Sequence, residues 1–308
     1  MKQTIVIGTR KSLLALWQSN HVAKLLRNKY PGIEVKLQHF VTKGDKILDL
    51  PLSKIGSKGL FTQELEDALY SGEIDLAVHS LKDMPTTLSD GLVLTAITER
   101  AKAGDAFVSN KYEKIEDLPK GAKLGTSSLR RKAQILAKRS DLEVIDLRGN
   151  VDTRLRKLDE GQYDAIILAA AGLERLGYGD RIREVLPKEY CLPAVGQGAL
   201  AIETRTDNVE VREMLEFLND RDTKITTDAE RAFLGLIEGG CQVPIGVHAT
   251  VKGENIEVEA VIANLNGTVV LRETSVGKVS EGVKIAAALG EKMLAEGGRK
   301  ILEEIGKL

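Results

Sequence analysis

The pattern of apolar and polar residues along the first 80 positions predicts strands that alternate with helices. Short apolar or alternating runs predict three strands, at residues 4–8, 34–41 and 72–78. Apolar residues at helical spacing predict two helices, at residues 13–26 and 61–70. This order of elements is typical of an α/β fold built on a mostly parallel sheet.

The same order of elements recurs between residues 122 and 167. Gly125 and Thr126 end a predicted strand and open a helix, as Gly8 and Thr9 do in the first segment. A strand at residues 143–147 and a Gly-x-x-Asp strand then follow, as they do near the N-terminus. Each motif alone is a common turn or capping signal, but three elements in one order indicate two lobes of similar plan. Sheets of this kind bind ligands beyond the carboxyl ends of their strands.

The last third of the chain has a different pattern. A helix is predicted at residues 221–237, three strands at 245–251, 256–263 and 268–275, and one long helix at 282–302. Together these elements predict a small α+β domain. Cys241 lies at its entry, after two glycines and before Pro244, which places the thiol on a loop. On this stretch alone, a small buried apolar residue is the stronger interpretation of Cys241.

Composition and net charge indicate a globular protein of two or three domains. The chain has 308 residues, 43% of them hydrophobic and 29% charged, which suits two or three globular domains. Its two cysteines and four scattered histidines predict neither a disulfide framework nor a metal site. A net charge of −1, with no apolar run of about 20 residues, predicts a cytoplasmic protein that binds neither nucleic acid nor membrane.

Basic and hydroxyl side chains recur at the predicted strand ends and helix starts, where α/β folds place their ligands. These residues are Arg10, Ser12, Lys82, Ser128, Arg130, Arg131, Arg148, Arg154 and Arg175. Arginine pairs bidentately with carboxylate or phosphate, so the set predicts a ligand with several anionic groups. Taken singly, each arginine is better interpreted as a surface charge or a salt-bridge partner, and the doublet Arg130-Arg131 is the most specific of the set.

Two further features have both a structural and a functional interpretation. Asp83 follows Lys82 in a strand-end turn, where an aspartate commonly caps the next segment. Among arginines it would stay ionised, and it could then stabilise a developing cation or exchange a proton. Residues 42–58, which include Lys54 and Lys58, predict either a solvated loop or an active-site lid.

Six motifs in order resemble the porphobilinogen deaminase family, also called the hydroxymethylbilane synthases. They are Thr-Arg-Lys-Ser at residues 9–12, His-Ser-Leu-Lys-Asp-Met-Pro at 79–85, Gly-Thr-Ser-Ser-Leu-Arg-Arg at 125–131, Leu-Arg-Gly-Asn at 147–150, residues 193–198, and Gly-Cys-Gln-Val-Pro at 240–244. The resemblance covers nearly the whole chain, and the motifs are specific in combination.

The resemblance implies a fold of two periplasmic-binding-protein-like α/β lobes with mixed sheets and a small C-terminal α+β domain. The first lobe would comprise residues 1–98 and 199–218, the second residues 104–192, and the C-terminal domain residues 221–308. It also implies a transferase that condenses four porphobilinogen molecules head to tail, with loss of ammonia, into the linear tetrapyrrole hydroxymethylbilane. This is a step of tetrapyrrole biosynthesis, which leads to haem, chlorophyll and corrins.

The resemblance assigns a role to each matched residue. A dipyrromethane cofactor would be attached to Cys241 by a thioether, and Asp83 would be the catalytic aspartate. Lys82, Ser128, Arg130, Arg131 and Arg154 would bind the cofactor. The growing chain would be bound by Arg10, Ser12, Arg148, Arg175, Gln197, Lys54 and Lys58. Cys191 lies in no attachment motif and is expected to be a packed core residue.

The partners expected from the resemblance are porphobilinogen and the growing polypyrrole chain. The protein would be a monomer that hands its product to a downstream uroporphyrinogen-forming enzyme. A solute receptor with the same two-lobe plan is the main alternative, and the lack of an export segment and the placement of Asp83 and Cys241 speak against it. A transferase acting on phosphorylated substrates is weaker, because the sequence has no phosphate-binding loop.

Overall fold

The computed structural model describes residues 2–46, 60–237 and 243–306. The strands are β1 (Thr4–Arg10), β2 (Glu34–Phe40), β3 (Leu76–Ser80), β4 (Leu92–Ile97), β5 (Asp105–Val108), β6 (Lys123–Gly125), β7 (Glu143–Ile145), β8 (Ala165–Ala169), β9 (Glu184–Val185), β10 (Leu200–Arg205), β11 (Ile245–Lys252), β12 (Asn255–Ala263) and β13 (Val270–Lys278). The helices are α1 (Leu13–Lys29), α2 (Lys43–Lys46), α3 (Gln63–Ser71), α4 (Leu129–Lys138), α5 (Val151–Asp159), α6 (Ala170–Arg175), α7 (Val209–Leu215), α8 (Arg221–Leu236), α9 (Gly282–Met293) and α10 (Arg299–Glu304). Cys241, Lys54 and Lys58 lie outside the described residues.

The chain divides into two compact units. The first consists of Met1–Ala101 and Ala199–Lys224, and the second of Lys102–Gly198 and Ile225–Leu308. The first unit contains one five-stranded sheet, and the second contains a five-stranded and a three-stranded sheet. The boundaries of three separate domains stay a prediction.

The sheet of the first unit has the strand order β2-β1-β3-β10-β4. β1 runs parallel to β2 and β3, whereas β10 runs antiparallel to β3 and β4. Alternate side chains of β1, such as Ile5 and Ile7, pack with Val22 and Leu26 of α1 in the core. The last strand of this unit along the chain, β10, belongs to the segment Ala199–Lys224, which returns to the unit after residue 198.

The five-stranded sheet of the second unit has the order β7-β6-β8-β5-β9 and the same pattern of directions. β6 is parallel to β7 and β8, and β5 is antiparallel to β8 and β9. In each sheet, three parallel strands predicted from the repeat are completed by one antiparallel strand and one edge strand. The predicted fold class, α/β lobes with mixed sheets and a small C-terminal α+β part, is confirmed.

Polar caps fix where the helices after these strands begin. The side chain of Ser12 accepts a hydrogen bond from the Ala15 N–H at the start of α1, and Ser128 accepts one from the Arg131 N–H at the start of α4. Asn150 caps α5 in the same way. Because a cap satisfies an N–H group that has no partner inside the helix, it fixes the residue at which each of these helices begins.

The three-stranded sheet is antiparallel, in the order β11-β12-β13, and packs on α8 and α9. The prediction of one helix at residues 282–302 is wrong in its middle. A π-helical turn, Leu294–Gly298, separates α9 from α10. The reason is Gly297, whose φ of 118° lies in the left-handed region that favours glycine and interrupts the helix.

None of the helices within the three described ranges combines enough length with enough apolar character to span a bilayer.

The turn between β12 and β13 lies close to α4, and a mutation in this turn tests that contact. Gly267 has a φ of +72°, and a Cβ atom there would lie 2.5 Å from the backbone O of Ala133 and N of Ala137 in α4. The mutation Gly267→Ala should therefore lower the free energy of unfolding by roughly 2–4 kcal/mol, the sum of left-handed strain and overpacking. Denaturant unfolding followed by circular dichroism measures this change.

The matched control is Gly253, in the turn between β11 and β12. Its φ is +64°, but no atom lies within 4 Å of its Cβ position. Gly253→Ala should therefore cost only the backbone strain, about 1 kcal/mol. Equal costs at the two positions would contradict the close approach of Gly267 to α4.

Candidate functional site

In the first unit, the carboxyl ends of β1 and β3 bring four of the predicted residues to one sheet edge. The two strands pair directly, with Gly8 opposite Ala77. β1 ends at Arg10, and Ser12 caps the helix that follows. β3 ends at Ser80 and passes into a 3-10 turn, Leu81–Asp83, which carries Lys82 and Asp83. This edge is where α/β sheets bind ligands.

Backbone hydrogen bonds and two buried side chains anchor the turn that carries Asp83. The Leu81 N–H donates to the backbone O of Ala199 at 3.0 Å, and the Met84 N–H donates to the Leu81 O at 3.1 Å. Leu81 and Met84 are both buried. Asp83 itself is exposed, and its carboxylate makes no hydrogen bond or ion pair with the residues that the structure describes. The main chain is thus fixed while the Asp83 residue is exposed.

Two further side chains at this edge were missed by the sequence analysis. The buried Gln18 of α1 donates from Nε2 to Ser80 Oγ at 2.8 Å, which ties the helix to the end of β3. The ring of Phe61 lies with its centroid 4.4 Å from the guanidinium carbon of Arg10, a cation–π contact. The same ring occupies the space that a side chain at Gly44 would need. Only the three-dimensional structure brings these residues together.

In the second unit, Arg130 and Arg131 lie in the first turn of α4, beyond the Ser128 cap. Both are buried, with 4% and 6% of their surface exposed. Arg130 donates from Nη1 to Asp105 Oδ2 at 2.6 Å and to the Leu192 O at 2.7 Å. Arg131 donates from Nε to Asp105 Oδ1 at 2.9 Å and from Nη1 to the Ile167 O at 3.0 Å.

Asp105, the first residue of β5, is the carboxylate on which these arginines converge. It is fully buried. Burial alone would raise its pKa, but attraction to Arg130 and Arg131 outweighs burial and holds the pKa well below its usual range. The sequence analysis missed this residue. The available signal was a lone acid directly before an apolar run, Ala106 to Val108, at the start of a strand.

Arg148 lies in the loop between β7 and α5, and Arg154 lies in the first turn of α5. Arg154 donates from Nε to the Gly149 O at 2.8 Å, and the Arg148 O accepts from Lys157 Nζ at 3.2 Å. Gly149 has a φ of 116°, so this tight turn depends on glycine. Both arginines are half-buried.

Arg175 and Gln197 contact the glycine-containing segment near residue 198. Arg175, at the end of α6, donates from Nη2 to the Gly198 O at 2.7 Å, and burial lowers its pKa. Gln197 is 1% exposed and donates from Nε2 to the Ala103 O at 2.6 Å and to Asp105 Oδ1 at 3.0 Å. Both side chains therefore bind protein backbone in this unit.

Cys191 is a buried core residue, as predicted. Its thiol donates to Asp105 Oδ2 at 3.3 Å. Burial, reinforced by repulsion from Asp105, raises the pKa of this thiol to about 12. Because the thiolate is the reactive form, Cys191 is unsuited to forming a thioether. Among the described residues, no cluster of histidine, cysteine or carboxylate side chains could hold a metal ion.

Two family models match the chain. "Porphobilinogen deaminase, dipyromethane cofactor binding domain" matches residues 5–213, and "Porphobilinogen deaminase, C-terminal domain" matches residues 224–295. The first match alone covers more than half of the chain. The chain belongs to the porphobilinogen deaminase family.

Curated porphobilinogen deaminases are similar over nearly their full length. The protein of Geobacter sulfurreducens is 52% identical, over 97% of this chain and 94% of its own. That of Desulforamulus reducens is 49% identical, over 99% of both chains. Among solved structures, the methionine binding protein MetQ aligns with 70% of this chain and 89% of its own, at 19% identity and a TM-score of 0.44. A likeness at that level says nothing about ligand or activity.

The side chains at these strand ends suit the porphobilinogen deaminase cofactor domain. All the predicted contact residues in the described part of the chain fall within its matched range, and Cys241 falls within the range of the C-terminal domain. In the second unit, two guanidinium groups face one carboxylate, so the cluster has an excess positive charge. A ligand carrying carboxylates complements this excess.

Proposed function

We propose that this porphobilinogen deaminase uses Asp83 as its catalytic residue and the strand-end arginines as its carboxylate anchors. The enzyme is a transferase that condenses porphobilinogen into hydroxymethylbilane, with dipyrromethane as its cofactor. The observation that carries the proposal is the exposed Asp83 carboxylate, held by an anchored turn at the same sheet edge as Arg10, Ser12 and Lys82.

Asp83 suits the charge that develops during the reaction. Loss of ammonia from porphobilinogen leaves a cationic methylene-pyrrole, which an ionised carboxylate stabilises most strongly where its position is already fixed. The same carboxylate can accept hydrogen bonds from pyrrole N–H groups. The anchors at Leu81 and Met84 hold the main chain on both sides of Asp83, so little reorganisation is needed during the reaction.

The arginines suit the acetate and propionate groups of the substrate. We propose that Arg10, Ser12, Arg148, Arg175 and Gln197 contact the substrate and growing chain, and that Lys82, Ser128, Arg130, Arg131 and Arg154 contact the cofactor. Charge-assisted hydrogen bonds from a planar guanidinium are stronger and more directional than neutral ones. The half-buried Arg148 and Arg154 combine access to ligand with partial desolvation, which strengthens such bonds. Lys54 and Lys58 remain proposed contacts from the 42–58 segment.

Cys241 is the proposed attachment residue. When bound, dipyrromethane supplies the pyrrole end to which the first substrate is joined. The Gly-Gly-Cys motif predicts a loop position for the Cys241 thiol, whereas the other cysteine, Cys191, is buried with its pKa raised to about 12. The contrast between the two thiols supports Cys241 as the one that forms the thioether.

Domain organisation, cellular location and oligomeric state are also part of the proposal. Residues 1–98 with 199–218, 104–192 and 221–308 would form three domains. The enzyme would act in the cytoplasm as a monomer and would release its product to a uroporphyrinogen-forming enzyme. Size-exclusion chromatography with light scattering measures the molar mass in solution and so tests whether the protein is a monomer.

The covalent cofactor can be tested by intact-mass spectrometry of the purified, denatured protein. We expect a mass excess equal to two linked pyrrole units, because the thioether survives denaturation. Cys241→Ser should lose this excess. Cys191→Ser should keep it, because serine retains a hydroxyl donor to Asp105 in place of the thiol. An active protein with the mass of the bare sequence would refute attachment to Cys241.

The role of Asp83 can be tested with the mutation Asp83→Ala. We expect the variant to keep the cofactor mass, and its kcat for porphobilinogen to fall at least about 100-fold, because a positioned carboxylate is lost. Asp83→Glu should retain part of the activity, since its charge remains.

The control is Asp90→Ala, which removes another exposed aspartate of the same unit. Its kcat should stay within about twofold of the original protein, as is usual for surface substitutions. If Asp83→Ala turns over porphobilinogen as fast as Asp90→Ala, Asp83 is not the catalytic residue.

A further inference from the structure

Asp105 lies at the centre of a buried polar cluster, the Asp105 cluster, made of Asp105, Arg130, Arg131, Cys191 and Gln197. Its carboxylate accepts hydrogen bonds from Arg130 Nη1 at 2.6 Å and Nη2 at 3.2 Å, Arg131 Nε at 2.9 Å, Gln197 Nε2 at 3.0 Å and Cys191 Sγ at 3.3 Å. A carboxylate offers about four lone-pair sites, so Asp105 has no capacity left for a ligand.

The charges of the cluster do not balance. Asp105 is the carboxylate within 4.0 Å of Arg130 and Arg131 among the described residues, so two guanidinium groups share one negative charge. The Cys191 thiol stays neutral at physiological pH, since its pKa is raised to about 12. A cluster that served stability alone would be expected to pair its charges, because an unpaired buried charge is costly. The remaining positive charge favours an anion supplied from outside the protein.

The cluster also connects the parts of the unit that carry the proposed ligand contacts. Asp105 begins β5 opposite Ala169, the last residue of β8. Its arginine partners lie in the capped first turn of α4. Gln197 extends the network to its own glycine segment, where Glu230 Oε2 accepts from the N–H of the preceding residue, Gly196, at 2.8 Å. One carboxylate thereby sets the relative position of a strand, a helix start and a glycine segment.

We propose that Asp105 is a positioning residue, which orients Arg130, Arg131 and Gln197 so that the two guanidinium groups can receive carboxylates of the cofactor. This inference rests on the proposed function. Asp105 does not contact the ligand itself. It fixes the guanidinium planes and leaves one net positive charge for the incoming anion.

The test uses the full-length variants Asp105→Asn and Asp105→Glu. The first keeps the size of the side chain and removes its charge, whereas the second keeps the charge and displaces the carboxylate by one methylene. Both should lower the fraction of folded protein that carries the two-pyrrole mass by about tenfold or more, the range expected for lost charge-assisted hydrogen bonds. The measured quantity is this loaded fraction, determined by intact-mass spectrometry, because kcat would also respond to the displacement of Gln197, a proposed substrate contact that Asp105 holds.

Asp141→Asn is the matched control. Asp141 pairs bidentately with Arg139, with Nε–Oδ1 and Nη2–Oδ2 distances of 2.8 Å, just beyond the other end of α4. The Asp141→Asn variant removes this Asp–Arg pair from the same unit and leaves the Asp105 cluster unchanged, so cofactor loading should be normal.

Normal loading in either folded Asp105 variant would overturn the proposal, and so would an equal loss in Asp141→Asn. If both Asp105 variants are recovered only as unfolded protein, Asp105 is a determinant of folding and the proposal is rejected. Absence of cofactor mass and of porphobilinogen turnover in the original protein would instead refute the proposed function.

Discussion

The hydrogen bonds between Asp105 and the first turn of α4 organise the second unit. Moving a carboxylate out of water costs several kcal/mol, and the cost is met here because five donors replace the lost solvent. Removing one partner from such a pair typically costs 3–5 kcal/mol, because the remaining charge is left buried. Strand β5, helix α4 and the segment around Gln197 are therefore constrained together. Arg130 and Arg131, two of the proposed ligand anchors, are held by this carboxylate.

Asp83 and Asp105 show how environment separates the roles of two aspartates. Asp83 is exposed on an anchored turn, with its carboxylate accessible. Asp105 is fully buried, and Arg130 and Arg131 overcome the effect of burial to keep its pKa low. The first arrangement suits a group that meets a substrate cation, and the second suits a group that orients other side chains.

Local patterns predicted the strands that carry the repeat and placed Ser12 and Ser128 at helix starts, because the period of apolar residues is encoded within a short stretch of chain. That both serines cap these helices became clear from the structure. The antiparallel strand β5 was not predicted. It is short, and its place in the sheet is set by pairing with β8, which is distant in sequence. The break at Gly297 was missed for a related reason, since helical spacing alone does not reveal a left-handed residue.

The sequence placed Arg130 and Arg131 at the start of a helix but did not reveal what they contact. Arg130 and Arg131 were expected to face a ligand, and the structure shows each of them paired with Asp105, 25 or 26 residues away along the chain. The local signal at Asp105, a lone acid before an apolar run, does not by itself distinguish a buried partner from a residue of the preceding turn. Burial and charge balance depend on packing between elements, so they required the structure.

The central claim is that Arg130 and Arg131 serve Asp105 and a ligand carboxylate at the same time. A crystal structure of the cofactor-loaded protein tests it most directly. We expect both guanidinium groups to keep their contacts with Asp105 while at least one directs a remaining N–H to a carboxylate of the cofactor. Guanidinium groups that turn away from Asp105 to reach the cofactor, or that contact Asp105 alone, would contradict the claim.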